Sequence, residues 1–248
     1  MSAIEFVPWE KIPRRNRDIV ISEKLDGTNA AVLIVHESEI DRIIIDGGPD
    51  GKGGVEIRET RLFEPDANNL VAQVNVPLNE NGDGETYYVF AQSRTRFIVP
   101  GRDNYGFAKW VRDNAETLVA DLGPGRHFGE WWGQGIQRGY GMKQKLFSLF
   151  DTSRWKDSQF LTPQLRVVPV LYWGKQSEER ITERLAILRA HGSPAAAREG
   201  VFSQEAEGIV IWHTAGRTFS KVTLKNDEAP KGPEGHKLDE ESKNRDGV

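Results

Sequence analysis

The 248-residue chain contains no cysteine. Disulfides, thiolate nucleophiles and cysteine-bound zinc are excluded at once. It also has no long apolar run. The longest, Ala30 to Val35, is far short of the ~20 residues that a membrane-spanning helix needs. The N-terminal stretch lacks the apolar core of a secretory signal. A large excess of one charge is missing too. The formal net charge is −4, and residues 226–248, with seven acidic and four basic residues, hold three of those charges. The nearly balanced remainder excludes a uniformly basic nucleic-acid coat and leaves room for local basic patches. The same tail has no aromatic residue and only Ala229, Leu238 and Val248 as apolar ones. So little apolar surface does not offset the entropy of ordering, and a flexible tail is expected there. These absences lead to the expectation of a soluble protein of a reducing, cytoplasmic interior, without membrane contact.

Short β-rich runs dominate what is present. Asp18–Glu23 and Ala30–Val35 flank Asp26-Gly27-Thr28-Asn29. Similar runs are Arg42–Ile45, Tyr87–Gln92, His127–Trp132, Leu146–Phe150, Leu165–Val170, Gly208–Trp212 and Thr218–Lys225. Ala215-Gly216 suits a turn joining the last two. Apolar spacing predicts two helices, over Tyr105–Leu122 and over Ser177–Ala190 with Ser177 as cap. The glycine-rich segment Asp46–Gly54 lacks the spacing of a phosphate loop and reads as a flexible loop. Many strands and few helices, without regular alternation, predict an α+β fold with antiparallel sheets flanked by helices. Residues 1–225 are expected to form one domain.

Glu23-Lys24-Leu25-Asp26-Gly27-Thr28-Asn29 carries the most chemistry. Lys24 ends a strand, and Gly27 permits a sharp reversal after it. A deprotonated lysine there can attack phosphorus and form a covalent lysyl-nucleotide. Nearby cations or a metal would have to favour the neutral amine, and Asp26 alone would act the other way. The plain alternative is a hairpin with an exposed lysine. Five basic residues against one acid lie between Gln92 and Arg112, and four against one between Arg126 and Lys145. With interleaved aromatics these segments could bind phosphates and stack bases, or be solvated faces over core aromatics. The five histidines show no metal-ligand spacing.

Further segments stand in a recognisable order: Gln92-Ser93-Arg94-Thr95-Arg96, Phe128-Gly129-Glu130 with the glycine-rich turn to Gln137, Leu146 to Asp151, Glu207-Gly208-Ile209-Val210, and Lys221-Val222-Thr223-Leu224-Lys225. Together with Glu23–Asn29 the series resembles the ATP-dependent RNA ligases related to phage T4 RNA ligase 2, within the covalent nucleotidyltransferase superfamily. The resemblance implies the adenylation-domain fold, with an active site between the sheets. It implies an enzyme in which Lys24 takes AMP from ATP, passes it to an RNA 5′-phosphate and seals that end to a 3′-hydroxyl, with nicked duplex, hairpin and free strands all open as the form of the ends. Lys24, Lys221 and Glu207 would be catalytic, with Glu207 holding Mg²⁺ or Mn²⁺. The motif residues Glu23, Asp26, Gly27, Thr28 and Asn29 would surround the nucleotide. Glu130 would receive the ribose hydroxyls, Phe150 (or Phe147) would stack on adenine, and Arg94, with Arg96 second, would meet nucleotide or end phosphate. The family's second lysine of the last motif is Thr223 here, so Lys225 becomes the candidate second cation. A DNA ligase, a GTP-using capping-type transferase and an inactive nucleic-acid-binding relative are the alternatives. Only 23 residues follow the last motif, so no OB domain is expected. No protein partner is predicted from the sequence.

Overall fold

The structure, a computed structural model, describes residues 9, 12–40, 43–49, 55–61, 68–78, 84–155 and 158–225. The expected flexible tail, residues 226–248, lies outside them. In chain order the first strands are β1 (Asp18–Lys24), β2 (Thr28–His36), β3 (Ile43–Pro49) and β4 (Val55–Arg61), with helix α1 (Glu37–Ile40) after β2. Then come β5 (Ala72–Pro77), β6 (Gly84–Ser93), β7 (Phe97–Ile98), α2 (Phe107–Asp113) and α3 (Ala115–Leu122). Next are β8 (Gly125–Gly133), β9 (Lys145–Leu149), α4 (Thr152–Trp155), β10 (Leu165–Val167) and β11 (Val170–Lys175). The last elements are α5 (Glu178–His191), α6 (Pro194–Arg198), β12 (Gly208–His213) and β13 (Thr218–Thr223). The fold is α+β with mainly antiparallel sheets and few helices, as the strand-rich pattern predicts.

The chain divides into two compact units. One is built from both ends of the chain, up to Leu25 and from Pro169 onward. Its four-stranded sheet runs β11-β1-β12-β13, all antiparallel. The sequence Asp-Ile-Val-Ile-Ser-Glu-Lys of β1 alternates, so Ile19, Ile21 and Glu23 are buried on one face. Ile209 and Ile211 of β12 and Leu185 and Leu188 of α5 complete that core.

The other unit spans Asp26–Val168. Its main sheet runs β10-β9-β8-β2-β6-β5, with β7 on β6. Only β9 and β10 pair in parallel among the described strands. β2 lies between β6 and β8, and its middle residues, Ala30–Val35, are buried on both faces. That explains its continuous apolar run. On one face Ala30, Val32 and Ile34 share a core with Phe107, Trp110, Val111, Leu118 and Leu122 of α2 and α3, and on the other Leu33 and Val35 cluster with Phe90 of β6. Each such large apolar side chain contributes about 1.5–3 kcal/mol by leaving water.

Several expectations need correction. The single helix over Tyr105–Leu122 is two helices, parted at Asn114, whose side-chain amide donates to the Trp110 carbonyl at 2.8 Å. A short polar side chain competing for helix carbonyls is a physical cause of the break. The run Leu165–Val170 is split between β10 and β11, with Pro169 (fixed φ and no N–H) at the division. Asp46–Pro49 is not loop but the end of β3, paired with β4. Residues 50–54 lie outside the described ones.

Candidate functional site

In the unit of both termini, the alternation that buries Glu23 turns Lys24 to the opposite face. Lys24 Nζ donates to Glu207 Oε2 at 2.5 Å, and both side chains are mostly buried. Glu207 immediately precedes β12, and its backbone carbonyl accepts from Leu224 N at 2.8 Å. In register, Lys24 faces Gly208, which faces Thr223. A Cβ at Gly208 would stand 2.2 Å from the Val222 carbonyl oxygen, so only glycine lets β13 approach here. Lys221 pairs with Val210, which pairs with Ser22, so Lys221 shares Lys24's face one step along the strands. Lys225 does not continue this alternation. β13 ends at Thr223, whose hydroxyl bonds the Lys225 carbonyl at 2.9 Å, and Lys225 follows in a bend.

Glu23 stands apart from the nucleotide role implied for it. It is 1% exposed, and its carboxylate accepts from Ser193 Oγ at 2.5 Å and Ala195 N at 2.8 Å, where α6 begins. Burial raises its pKa from 4.5 to about 7, against the lowering effect of those two donors and of the Arg198 charge.

The unit Asp26–Val168 gathers the rest of the lysine motif around β8. Gly27 N donates to Glu130 Oε1 at 3.1 Å, and Asn29 faces Glu130 in register. Gly27 is needed here for close approach to β8, not for a left-handed turn: a Cβ would lie 2.4 Å from the Trp131 carbonyl oxygen. Asp26 accepts from Arg138 Nε at 2.7 Å, while its N–H donates to the Tyr140 hydroxyl at 2.7 Å. Thr28 faces the other way, opposite Trp131, and its hydroxyl accepts from Asn104 Nδ2 at 2.8 Å.

Alternation along β8 and β9 sorts the aromatics. Phe147 is buried in the core, as are Trp131 and Trp132. Phe150, just past β9, is 38% exposed, and its N–H donates to the Phe128 carbonyl at 3.0 Å. Phe128 is 44% exposed and lies two residues from Glu130, on the same face of β8. Arg138 was not singled out in the sequence, and the glycines around it were the available signal. Arg94 and Arg96 are exposed in the turn between β6 and β7, so strand alternation does not set which way either points.

Among the described residues no cluster of three or more His, Cys, Asp or Glu could hold a metal ion. His127 is buried, its pKa lowered by desolvation, with Nε2 3.0 Å from the Gly123 carbonyl oxygen.

The Lys24–Glu207 pair thus lies in one unit, and Glu130 with the rest of the lysine motif in the other. Residues 17–226 match the family described as RNA ligase. The chain belongs to the RNA ligase family, and RNA is accordingly its substrate class. No curated protein matches it.

Proposed function

We propose that the chain has the nucleotidyltransferase fold and is an ATP-dependent RNA ligase working through covalent lysyl-AMP on Lys24. The observation that carries this is the Lys24–Glu207 contact, a mostly buried lysine at a strand end beside a glycine that admits no side chain. Attack needs a neutral amine, so Lys24 must leave its carboxylate partner and give up a proton. Its nitrogen then bonds the α-phosphorus of ATP as the bond to pyrophosphate breaks. AMP passes to an RNA 5′-phosphate, and a 3′-hydroxyl attacks that phosphorus and expels AMP.

Positioning and charge neutralisation account for most of such catalysis. Lys221 would meet the α-phosphate, and Glu130 the ribose hydroxyls. Phe150, with Phe128 beside it, would stack on adenine, and Arg94 would contact the end phosphate. One carboxylate together with substrate phosphates and waters is a donor set that suits Mg²⁺ or Mn²⁺, and Glu207 would supply it. The ion would offset charge on the phosphates.

The test is incubation with α-labelled ATP, or α-labelled GTP, and each metal in turn. Label from ATP should remain on denatured wild-type protein and be absent from Lys24→Ala. Glu207→Ala should retain less label, by about 10²-fold or more in rate. Labelling of Lys24→Ala at the wild-type level would remove the proposal, and labelling only by GTP would replace it with a capping-type activity.

A further inference from the structure

Four residues standing side by side cross the face of the β11-β1-β12-β13 sheet that carries Lys24. They are Trp173, Val20, Trp212 and Phe219, each directly opposite the next in strand register. They share a face with Ser22, Val210 and Lys221 in the next row, and with Lys24 and Thr223 in the row after that. The opposite face is already occupied by the isoleucine core. Trp173 is 63% exposed and Phe219 70% exposed. Phe219 and Trp212 rings lie 4.4 Å apart at 39°. Val20 and Trp212 between them are partly buried. Single exposed aromatics are ordinary, but a contiguous apolar row exposed at both edges of a sheet marks a binding surface.

Charge decides among occupants. Among the described residues of these strands, the ionisable ones on this face outside the Lys24–Glu207 pair are Lys221, Lys175 and Asp18, the last two opposite each other at the far end. Asp18 offsets Lys175, so Lys221 gives this face a net positive charge. Flat aromatic rings beside that charge suit a polyanion with stackable bases better than an apolar protein segment. A four-stranded antiparallel sheet with exposed aromatics is a known physical solution for unpaired RNA, because every base offers a ring face. The row lies four residues along β1 from Lys24, or roughly 14 Å, which is about the span of four stacked nucleotides at ~3.4 Å each.

We propose that this face binds unpaired bases of an RNA strand whose end reaches Lys24, with Trp173 and Phe219 as stacking platforms. It rests on the assignment of Lys24 as the reacting group. The test is equilibrium binding of a short fluorescein-labelled single-stranded RNA, without ATP, to wild-type protein and to Trp173→Ala/Phe219→Ala. The double variant should bind at least about fivefold more weakly. An RNA of the same length with abasic sites along its strand should bind both proteins equally. Trp173→Phe/Phe219→Tyr, which keeps a ring at each place, should restore affinity. Unchanged affinity in the alanine variant overturns the proposal. So does an equal loss on abasic RNA, which would indicate backbone contact alone, or failure of the ring-keeping variant to rescue. Binding here needs no chemistry. Whether Lys24 takes label from ATP is read separately on wild-type protein, so failure of either proposal is recognised on its own.

Discussion

Glu23 and Lys24 are neighbours in sequence and face opposite sides of one strand. Lys24 meets Glu207, while Glu23 is sealed against Ser193 and Ala195. Two donors would normally hold a carboxyl acidic, but here desolvation outweighs them and the pKa rises from 4.5 to about 7. A raised acid pKa means that the folded protein binds a proton more tightly than the unfolded chain. The resulting stability is complete below pH 4.5 and is lost as pH rises through about 7. The loss is on the order of 3 kcal/mol by linkage. Glu23→Gln cannot ionise, so the variant should lack this component. Urea melts of both proteins at pH 5 and pH 8 measure it, and parallel pH dependences would disprove it. The residues of the candidate site were named from the sequence because each sits in a short ordered motif. The face each one occupies came from strand register, which local sequence sets only in part. Thr28 and Glu23 therefore sit away from the groups that their motif neighbours meet.

At the scale of elements, β1, β2, β6, β8, β9, β12 and β13 were all readable, because alternation or a buried apolar run marks each one. β4 and β5 were not. Val-Glu-Ile-Arg-Glu-Thr-Arg and Ala-Gln-Val-Asn-Val-Pro are polar enough to pass for loop, and β5 is an edge strand that ends in proline. α6, five residues long, is too short for periodicity to show. The close seam between β12 and β13 was equally invisible, since nothing local reveals that Gly208 lies against a neighbouring carbonyl. Gly208→Ala should force two backbones apart, costing about 1–3 kcal/mol and lowering the melting temperature. Because Gly208 faces Lys24, the same variant should also lose label at Lys24. Wild-type melting together with wild-type labelling would show that the seam yields freely.

Over the whole molecule, local pattern predicted the α+β class but not the division into two units. One unit joins the first strand to segments more than 140 residues later, and nothing short-range records that pairing. Such long-range closure slows folding, because chain entropy is lost before contacts compensate. A chain stopped after Glu207 lacks β12 and β13 and should give no label at Lys24, even where its Asp26–Val168 unit retains native-like circular dichroism. Full labelling of that fragment would disprove the dependence. The order of synthesis carries the consequence further. The lysine strand is made before both of its neighbours, which follow it by more than 140 residues. A nascent or interrupted chain thus carries Lys24 unassembled, and under the proposed mechanism it takes up no AMP until β12 has been made.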